Sequence, residues 1–291
     1  MPDRIHRWIT EEGTIRILSA VTTDSAKEAS KSIGTSPEAT RALANMLTGG
    51  ALLQLALAPA DRMQFHLQHR GSVGEIVSDV RPGVFVRASV QEPNPDVAPF
   101  IGGMMTINVS RYRVNGGELF ESLVEVPDAD ISSGFQLYSL QSEQVLSFVA
   151  MDCLMSNWDV DVSGGILVQA LPGLKHEELE AVTQCLEKHN FSEILRLTHD
   201  PVKATETIFA DLKLHELGVD PLAYKCTCSK DRVLGALVTL GIDELEEIKA
   251  EGGHDINCDF CGTIYSISAD EVGELIEKMQ EEASESEESS D

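Results

Sequence analysis

The stretches Cys226-Thr227-Cys228 and Cys258-Asp259-Phe260-Cys261 together hold four of the six cysteines of the chain. Twenty-nine residues lie between the C-x-C pair and the C-x-x-C pair. Two close pairs at such a separation are typical of a four-thiolate zinc site, in which each pair provides two corners of a tetrahedron. The sequence therefore predicts one zinc ion bound by Cys226, Cys228, Cys258 and Cys261.

A metal ion bound in this way joins the two halves of a small C-terminal domain, which we assign to residues 222–273. Binding of structural zinc contributes roughly 10–16 kcal/mol in finger peptides, which is most of the folding free energy of such domains. We expect the metal to be the only long-range crosslink here. Ser229 and Ser268 are predicted helix caps, Asp243 with Glu246 is a predicted capping box, and residues 263–267 are a predicted strand.

The composition limits the possible functions. The chain has 291 residues, which is enough for one sizeable domain and a small one, and 42% of them are hydrophobic. Its formal net charge of −26 argues against binding to nucleic acid or to an anionic membrane surface. No apolar run approaches the ~20 residues that span a bilayer, and the N-terminus lacks the apolar core of a secretory signal. Paired cysteines without such a signal fit a reducing compartment, so we expect a cytoplasmic protein.

Residues 1–173 are predicted to form an α+β domain. Ser36-Pro37 begins a helix whose apolar pattern breaks or continues at Gly49-Gly50. Apolar and polar residues alternate at 63–67 and predict a strand. Residues 143–155 are predicted to be a helix, with Cys153 as a buried small hydrophobic residue. Further strands are predicted at 75–78, 84–90, 104–109 and 166–171.

Residues 174–221 have a different character, with charged amphipathic helices predicted at 176–189 and 201–217, the second of them beginning at Asp200-Pro201. Their apolar stripes need a surface to cover, because helices of this length are marginal alone. On composition alone this segment is an ordinary helical extension that carries Cys185. Residues 274–291 form an acidic tail. From residue 281 onward it contains only Glu, Ser, Asp and one Ala, and is expected to be disordered.

Other interpretations of the cysteines remain open at this point. A static zinc scaffold without switching is the simplest, because closed four-cysteine sites are usually architectural. His254 could replace one thiolate, but four thiolates already complete the tetrahedron. Acidic residues outnumber basic ones around the predicted helices, which disfavours a zinc-bearing nucleic-acid module. A thioredoxin-like enzyme would place Cys258-x-x-Cys261 at the start of a helix, whereas Gly262 and a strand follow, so we expect no enzyme.

The chain resembles the heat shock protein 33 family of redox-regulated chaperones. The resemblance is carried by Cys226-x-Cys228-Ser229 and by Cys258-Asp259-Phe260-Cys261-Gly262 at this spacing near the C-terminus. It extends over nearly the whole chain through ANMLTG at 44–49, GSVG at 71–74, YSLQSEQ at 138–144 and GGILVQALPG at 164–173.

The resemblance implies an ATP-independent holdase that is inactive while reduced and zinc-bound. On oxidation, Cys226–Cys228 and Cys258–Cys261 disulfides are expected to form, zinc to be released and residues 222–273 to unfold. Residues 174–221 become a metastable linker, and residues 1–173 the domain for client binding and dimerisation. Such disulfides close only tiny rings, which do not join the two halves of the domain. The expected partners are unfolding client proteins and, on activation, a second copy of the chain.

Overall fold

The computed structural model of the chain describes residues 2–113, 117–127 and 130–288. It divides into two compact units, Met1–Lys225 and Cys226–Asp291, which we call the N-terminal and C-terminal units. Both helices and sheets are present, so the predicted α+β class is confirmed. The boundary lies at Lys225, four residues beyond the expected end of the linker. In the part of the chain that the structure describes, no helix combines the length and the apolar character required to span a bilayer.

The N-terminal unit contains eleven strands and six helices among its described residues. The strands are β1 (Arg4–Thr10), β2 (Ile15–Val21), β3 (Arg62–Gln68), β4 (Ile76–Arg81), β5 (Phe85–Val90), β6 (Met105–Tyr112), β7 (Glu118–Val126), β8 (Ser147–Ser156), β9 (Asp159–Ala170), β10 (Leu214–Pro221) and β11 (Ala223–Tyr224). The helices are α1 (Thr23–Ile33), α2 (Pro37–Leu57), α3 (Ile131–Gln141), α4 (His176–Lys188), α5 (Phe191–Thr198) and α6 (Pro201–Ile208).

Two sheets form the framework of this unit. One has five strands in the order β10-β1-β2-β9-β8, and all of its neighbours are antiparallel. The other has six strands in the order β11-β5-β4-β3-β6-β7, with only β11 and β5 parallel. Helix α2 contacts strands of both sheets, and its apolar residues belong to the largest buried cluster.

Helix α2 begins as the sequence predicts. The Ser36 hydroxyl accepts a hydrogen bond from the backbone N–H of Ala39, and Pro37 occupies the first turn. The helix continues through Gly49-Gly50 because both glycines are sites of close approach. A Cβ at Gly49 would overlap the Phe135 ring, and one at Gly50 would crowd the Ser78 hydroxyl.

Two helix predictions in the N-terminal unit were wrong. Most of the segment predicted as a helix at 143–155 forms strand β8, which pairs with β9. Every second residue of this strand, at Val149, Met151 and Cys153, has a buried side chain. The helix predicted at 201–217 ends at Ile208, and the chain then extends as β10 along the edge of β1. The start of that helix is as predicted, because the Asp200 carboxylate accepts from the N–H groups of Val202 and Lys203.

The C-terminal unit contains α7 (Lys230–Leu237), a 3-10 turn (Val238–Leu240), α8 (Ile242–Ala250), β12 (Gly253–Asn257), β13 (Ile264–Ser268) and α9 (Ala269–Glu288). Strands β12 and β13 form an antiparallel hairpin. The unit has its own small core, made of Leu237, Leu245, Ile267, Val272 and Ile276.

The predicted caps of this unit have different outcomes. Ser229 caps α7, and Ser268 with Glu271 forms the predicted capping box of α9. The capping box at Asp243 was wrong, because Gly241 occupies the N-cap position of α8 with φ +94°, a conformation that favours glycine. Helix α9 continues to Glu288 and so extends into the acidic tail at 274–291, for which disorder stays a prediction. Residues 289–291 lie outside the described residues.

Candidate metal centre

The four cysteines of the two sequence pairs converge in the C-terminal unit. Their Sγ atoms all lie within 4.8 Å of one another, and each residue is half-buried. The Sγ atoms of Cys228 and Cys261 are 3.3 Å apart, and those of Cys226 and Cys258 are 3.7 Å apart. A tetrahedron with zinc–sulfur bonds of ~2.3 Å has edges of about 3.8 Å. The thiols are therefore close to the spacing of tetrahedral zinc ligands and could hold a metal ion.

Local hydrogen bonds shape the loop that carries the first pair. Cys226 and Cys228 lie in the segment that ends at Ser229, the cap of α7. The Arg232 guanidinium donates to the backbone carbonyl of Thr227 at 2.7 Å and to its hydroxyl at 2.6 Å. These two hydrogen bonds tie the residue between the two cysteines to the first turn of α7.

The second pair lies in the tight turn between β12 and β13. The N–H groups of Cys261 and Gly262 both donate to the Cys258 carbonyl, at 3.2 and 2.8 Å, and the Cys258 N–H donates to the Thr263 carbonyl at 3.0 Å. Gly262 has φ +66°, in the left-handed region where glycine is favoured. The glycine after the C-x-x-C pair is therefore part of the turn geometry.

Two hydroxyl groups form a second layer around the thiols. The Tyr265 hydroxyl donates to Cys228 Sγ at 3.1 Å, and the Thr263 hydroxyl lies 3.2 Å from Cys261 Sγ. The Tyr265 bond links β13 to the loop of the first cysteine pair. Sequence reasoning missed both residues. The usable signal was their position directly after the second pair, at alternate places along a predicted strand.

The electrostatics of the cluster favour a bound cation. Burial raises the pKa of the Cys258 thiol to about 12, although N–H groups of Phe260 and Cys261 oppose the increase. Burial also raises the pKa of Cys228, against the hydrogen bond from Tyr265. At Cys261, burial acts upward, but hydrogen bonds from Thr263 and from the neighbouring thiols lower the pKa to about 7. Four adjacent thiolates need a compensating positive charge, which a divalent metal ion provides.

The remaining candidates lie outside this cluster. Within the described residues, the group of possible metal ligands consists of the four cysteines alone, and His254 lies on β12 opposite Ile267. Cys153 and Cys185 are buried in the N-terminal unit, 1% and 5% exposed, and burial raises the pKa of each. The roles of the four clustered cysteines as zinc ligands and redox-active residues stay predictions.

Comparison with known proteins identifies relatives of the whole chain. A family model described as Hsp33 protein matches residues 3–268. A 33 kDa chaperonin from Syntrophotalea carbinolica is 32% identical and covers 95% of this chain and 100% of the relative. A 33 kDa chaperonin from Thermus thermophilus is 30% identical, with 95% and 87% covered, and one from Shouchella clausii is 28% identical, with 96% and 99% covered. These relatives are named as chaperonins and not as enzymes.

A solved structure has the same fold. The crystal structure of the 33 kDa chaperonin (heat shock protein 33 homolog) from Thermotoga maritima matches with a TM-score of 0.85, over 97% of this chain and 100% of that chain. Its sequence identity of 24% limits this comparison to the fold. Because the family model covers most of the sequence and a relative at 32% identity covers nearly all of it, the chain belongs to the Hsp33 family.

Proposed function

We propose that the chain is an ATP-independent holdase chaperone that oxidation switches on. The observation that carries this proposal is the cluster of four half-buried thiols from two distant pairs, in a chain whose relatives are named 33 kDa chaperonin. Thiols in such a cluster are both metal ligands and targets of oxidants, so a single site combines a structural and a sensing role.

In the reduced state, the four thiolates bind one metal ion. When bound, zinc compensates their negative charge and crosslinks the loop before α7 to the turn between β12 and β13. Around it, Tyr265 and Thr263 orient the thiolates of Cys228 and Cys261. Hydrogen bonds of this kind support tight binding, because they hold the metal ligands in place.

Oxidation converts the thiolates to disulfides in two balanced steps. A thiolate attacks one oxygen of hydrogen peroxide, the O–O bond breaks, hydroxide leaves and takes up a proton to become water, and the sulfur becomes a sulfenic acid, oxidised by two electrons. A neighbouring thiolate then attacks that sulfur, and water leaves as the disulfide forms. The Sγ atoms of Cys226 and Cys258 and those of Cys228 and Cys261 are also close, at 3.7 and 3.3 Å, so proximity alone does not select the local bonds. Local Cys226–Cys228 and Cys258–Cys261 bonds are proposed from the family resemblance.

Local disulfides leave the halves of the C-terminal unit without a covalent or metal link. We propose that residues 222–273 then unfold and that the linker at 174–221 loses its support. Apolar surface on the linker and on residues 1–173 then becomes accessible to unfolding client proteins. The net charge of −26 would keep such complexes soluble. Dimerisation on activation is part of the same proposal, as is a cytoplasmic location, where thiols remain reduced until stress.

A constitutively folded zinc scaffold without switching is the second candidate, and a specific observation favours it. The metal is not the only long-range link in the C-terminal unit, contrary to the sequence-based expectation. Lys230 at the start of α7 forms a 2.7 Å ion pair with Glu271 of α9, and the small core joins α7, α8, β13 and α9. These contacts could maintain the unit after metal loss.

The two candidates differ in an aggregation assay with chemically unfolded citrate synthase. The reduced, zinc-loaded chain is expected to leave the aggregation unchanged, and the peroxide-treated chain to suppress it. Reduction with dithiothreitol and added zinc should reverse the effect. A chain that performs equally in both states, whether active or inactive, would support the scaffold and exclude the switch.

A further inference from the structure

One short segment covers an edge of both sheets in the N-terminal unit. Residues 214–225, which we call the strap, contain β10 at the edge of the five-stranded sheet and β11 at the edge of the six-stranded sheet. Strand β10 pairs with β1 from Arg4 to Thr10, and β11 pairs with the start of β5. In addition, the N–H groups of Leu222, Ala223 and Lys225 donate to the backbone carbonyls of Asp3, Val84 and Val86, respectively.

The strap is held by backbone hydrogen bonds and by a small number of side chains. Leu214 and Tyr224 are half-buried and pack against the two cores of the unit, and the Lys225 ammonium lies 4.6 Å from the centroid of the Phe85 ring. In β10, Leu217 and Val219 are 49% and 47% exposed, although they are apolar. Two side-chain pairs, Asp220 with Arg7 at 2.6 Å and Glu216 with His6 at 3.0 Å, are partly exposed and therefore contribute little. Leu222 is the buried anchor, 5% exposed in the main core. Elements with few buried contacts are the ones that open locally.

The strap is also the part of the N-terminal unit nearest in sequence to the cysteines. Its last residue, Lys225, is bonded directly to Cys226. The strap is therefore the segment that joins the N-terminal unit covalently to the cysteine loop. Release of the strap would leave β1 and β5 with unpaired N–H and C=O groups at the same time.

We infer that the edges of β1 and β5 are strand-addition sites for extended segments of unfolding proteins, with the strap as the occupant in the resting state. This inference rests on the proposed chaperone function and specifies how clients bind. An unpaired strand edge binds an extended chain through main-chain hydrogen bonds, which every polypeptide offers. Such recognition fits clients of unrelated sequence. Once released from Asp220, Arg7 would favour client segments that carry an acidic residue at the position that Asp220 occupies in the strap.

The first test releases the strap without oxidation. Leu222→Asp places a charge in the buried anchor position, and Leu217→Asp is the matched control on an exposed position of the same strap. In the reduced, zinc-loaded full chain, Leu222→Asp should accelerate hydrogen exchange of residues 4–10 and 85–86, which pair with the strap, by at least about tenfold. Leu217→Asp should leave it within about twofold. Equal effects of the two variants would contradict the role of the strap.

The second test needs no variant of the chain. A synthetic peptide of residues 210–223 should compete with unfolded citrate synthase for the oxidised chain. In the control peptide, Leu214 and His215 are both replaced by proline. Successive N–H groups of a strand point to opposite sides, so one of the N–H groups of Leu214 and His215 must face β1. Proline at both positions removes that donor, and the control peptide retains Glu216 and Asp220. The control should not compete. Equal competition by both peptides would overturn recognition through strand pairing.

Hydrogen exchange of the oxidised chain with and without client separates the remaining outcomes. Protection of residues 4–10 and 85–86 that returns only with client supports the inference. Suppression of aggregation without that protection overturns the inference and leaves the proposed function intact. If protection from exchange at these edges returns when only the concentration of the chain is raised, a second copy of the chain binds there, which contradicts client binding as their role. If the oxidised chain does not suppress aggregation, the proposed chaperone function is wrong, and so is client binding at these edges. The hydrogen exchange of Leu222→Asp would still show whether the strap can be released.

Discussion

The pairing of the oxidised cysteines decides whether oxidation can act as a switch. A Cys226–Cys258 bond encloses 33 residues, and restricting a loop of that length in the unfolded chain is worth about 3–4 kcal/mol. A local bond closes a ring of three or four residues, worth about 1.5–2 kcal/mol by the same relation, and joins nothing across the unit. Crosswise bonds would thus preserve the connection between the halves, and local bonds would remove it.

The loss of that connection is large compared with what remains. Structural zinc contributes roughly 10–16 kcal/mol. A single core of the size found here, with five buried side chains including Leu245, rarely supplies more than about 3–5 kcal/mol in a domain this small. Local disulfides in place of the metal should therefore leave the C-terminal unit unfolded.

Peptide mapping distinguishes the two pairings directly. Trypsin cuts on both sides of residues 226–230 and of residues 250–278, and each fragment contains one complete cysteine pair. Local bonds predict two separate fragments, each lighter by two hydrogen atoms than in the reduced control. Crosswise bonds predict one joined species that separates on reduction. A joined species as the main product after peroxide treatment would refute the argument.

Three further predictions concern the metal site and the N-terminal unit. Cys258→Ser should abolish stoichiometric zinc in metal analysis, whereas Cys185→Ala, a buried cysteine outside the cluster, should retain it; unchanged zinc in both would reject the ligand assignment. Tyr265→Phe removes the hydroxyl that donates to Cys228 and should weaken zinc binding by about 10–100-fold in a chelator competition, with Tyr112→Phe as the unaffected control. Asp79→Asn should lower the unfolding free energy of the N-terminal unit by about 3 kcal/mol, because Arg62 and Arg87 lose the buried carboxylate with which they pair. The zinc content should not change. Denaturant titration measures the unfolding free energy, and a decrease below about 1 kcal/mol would contradict this prediction.

The titration of Asp79 gives that last prediction a pH dependence. Burial raises the pKa of Asp79, but hydrogen bonds and charges from Arg62 and Arg87 outweigh burial and hold it below its ordinary value of 3.8. The charged form is therefore favoured in the folded state. Its contribution is present above about pH 3.8 and is lost as the pH falls through the lower folded-state pKa. The wild-type chain should lose stability in that range, and Asp79→Asn should show a smaller loss.

The convergence of the four cysteines could be predicted from sequence because they are close in pairs. Spacing alone indicated that Cys226, Cys228, Cys258 and Cys261 converge, and the structure brings them together. The second layer was not predictable in the same way. Tyr265 contacts Cys228 across 37 positions of the chain, and only the three-dimensional turn places its hydroxyl there.

The errors in secondary structure have a common physical origin. Strand β8 was mistaken for a helix because Val145, Leu146, Val149 and Leu154 also fit a helical stripe, and β9 as the pairing partner decides in favour of the strand. Strand β10 has little strand character of its own, and the open edge of β1 imposes its conformation. In both cases a partner distant in sequence overrides the local pattern. Helix α2, whose cap is local, was predicted correctly at its start.

Removal of the metal without any oxidant shows whether the fold of the C-terminal unit depends on zinc. The reduced full chain is treated with a zinc chelator in the presence of dithiothreitol, and hydrogen exchange is followed by mass spectrometry. Residues 226–280 are expected to lose protection when zinc is removed and to regain it when zinc is restored. A C-terminal unit that stays protected after complete zinc loss would mean that its small core and the Lys230–Glu271 ion pair suffice, and the metal-dependent switch would be contradicted.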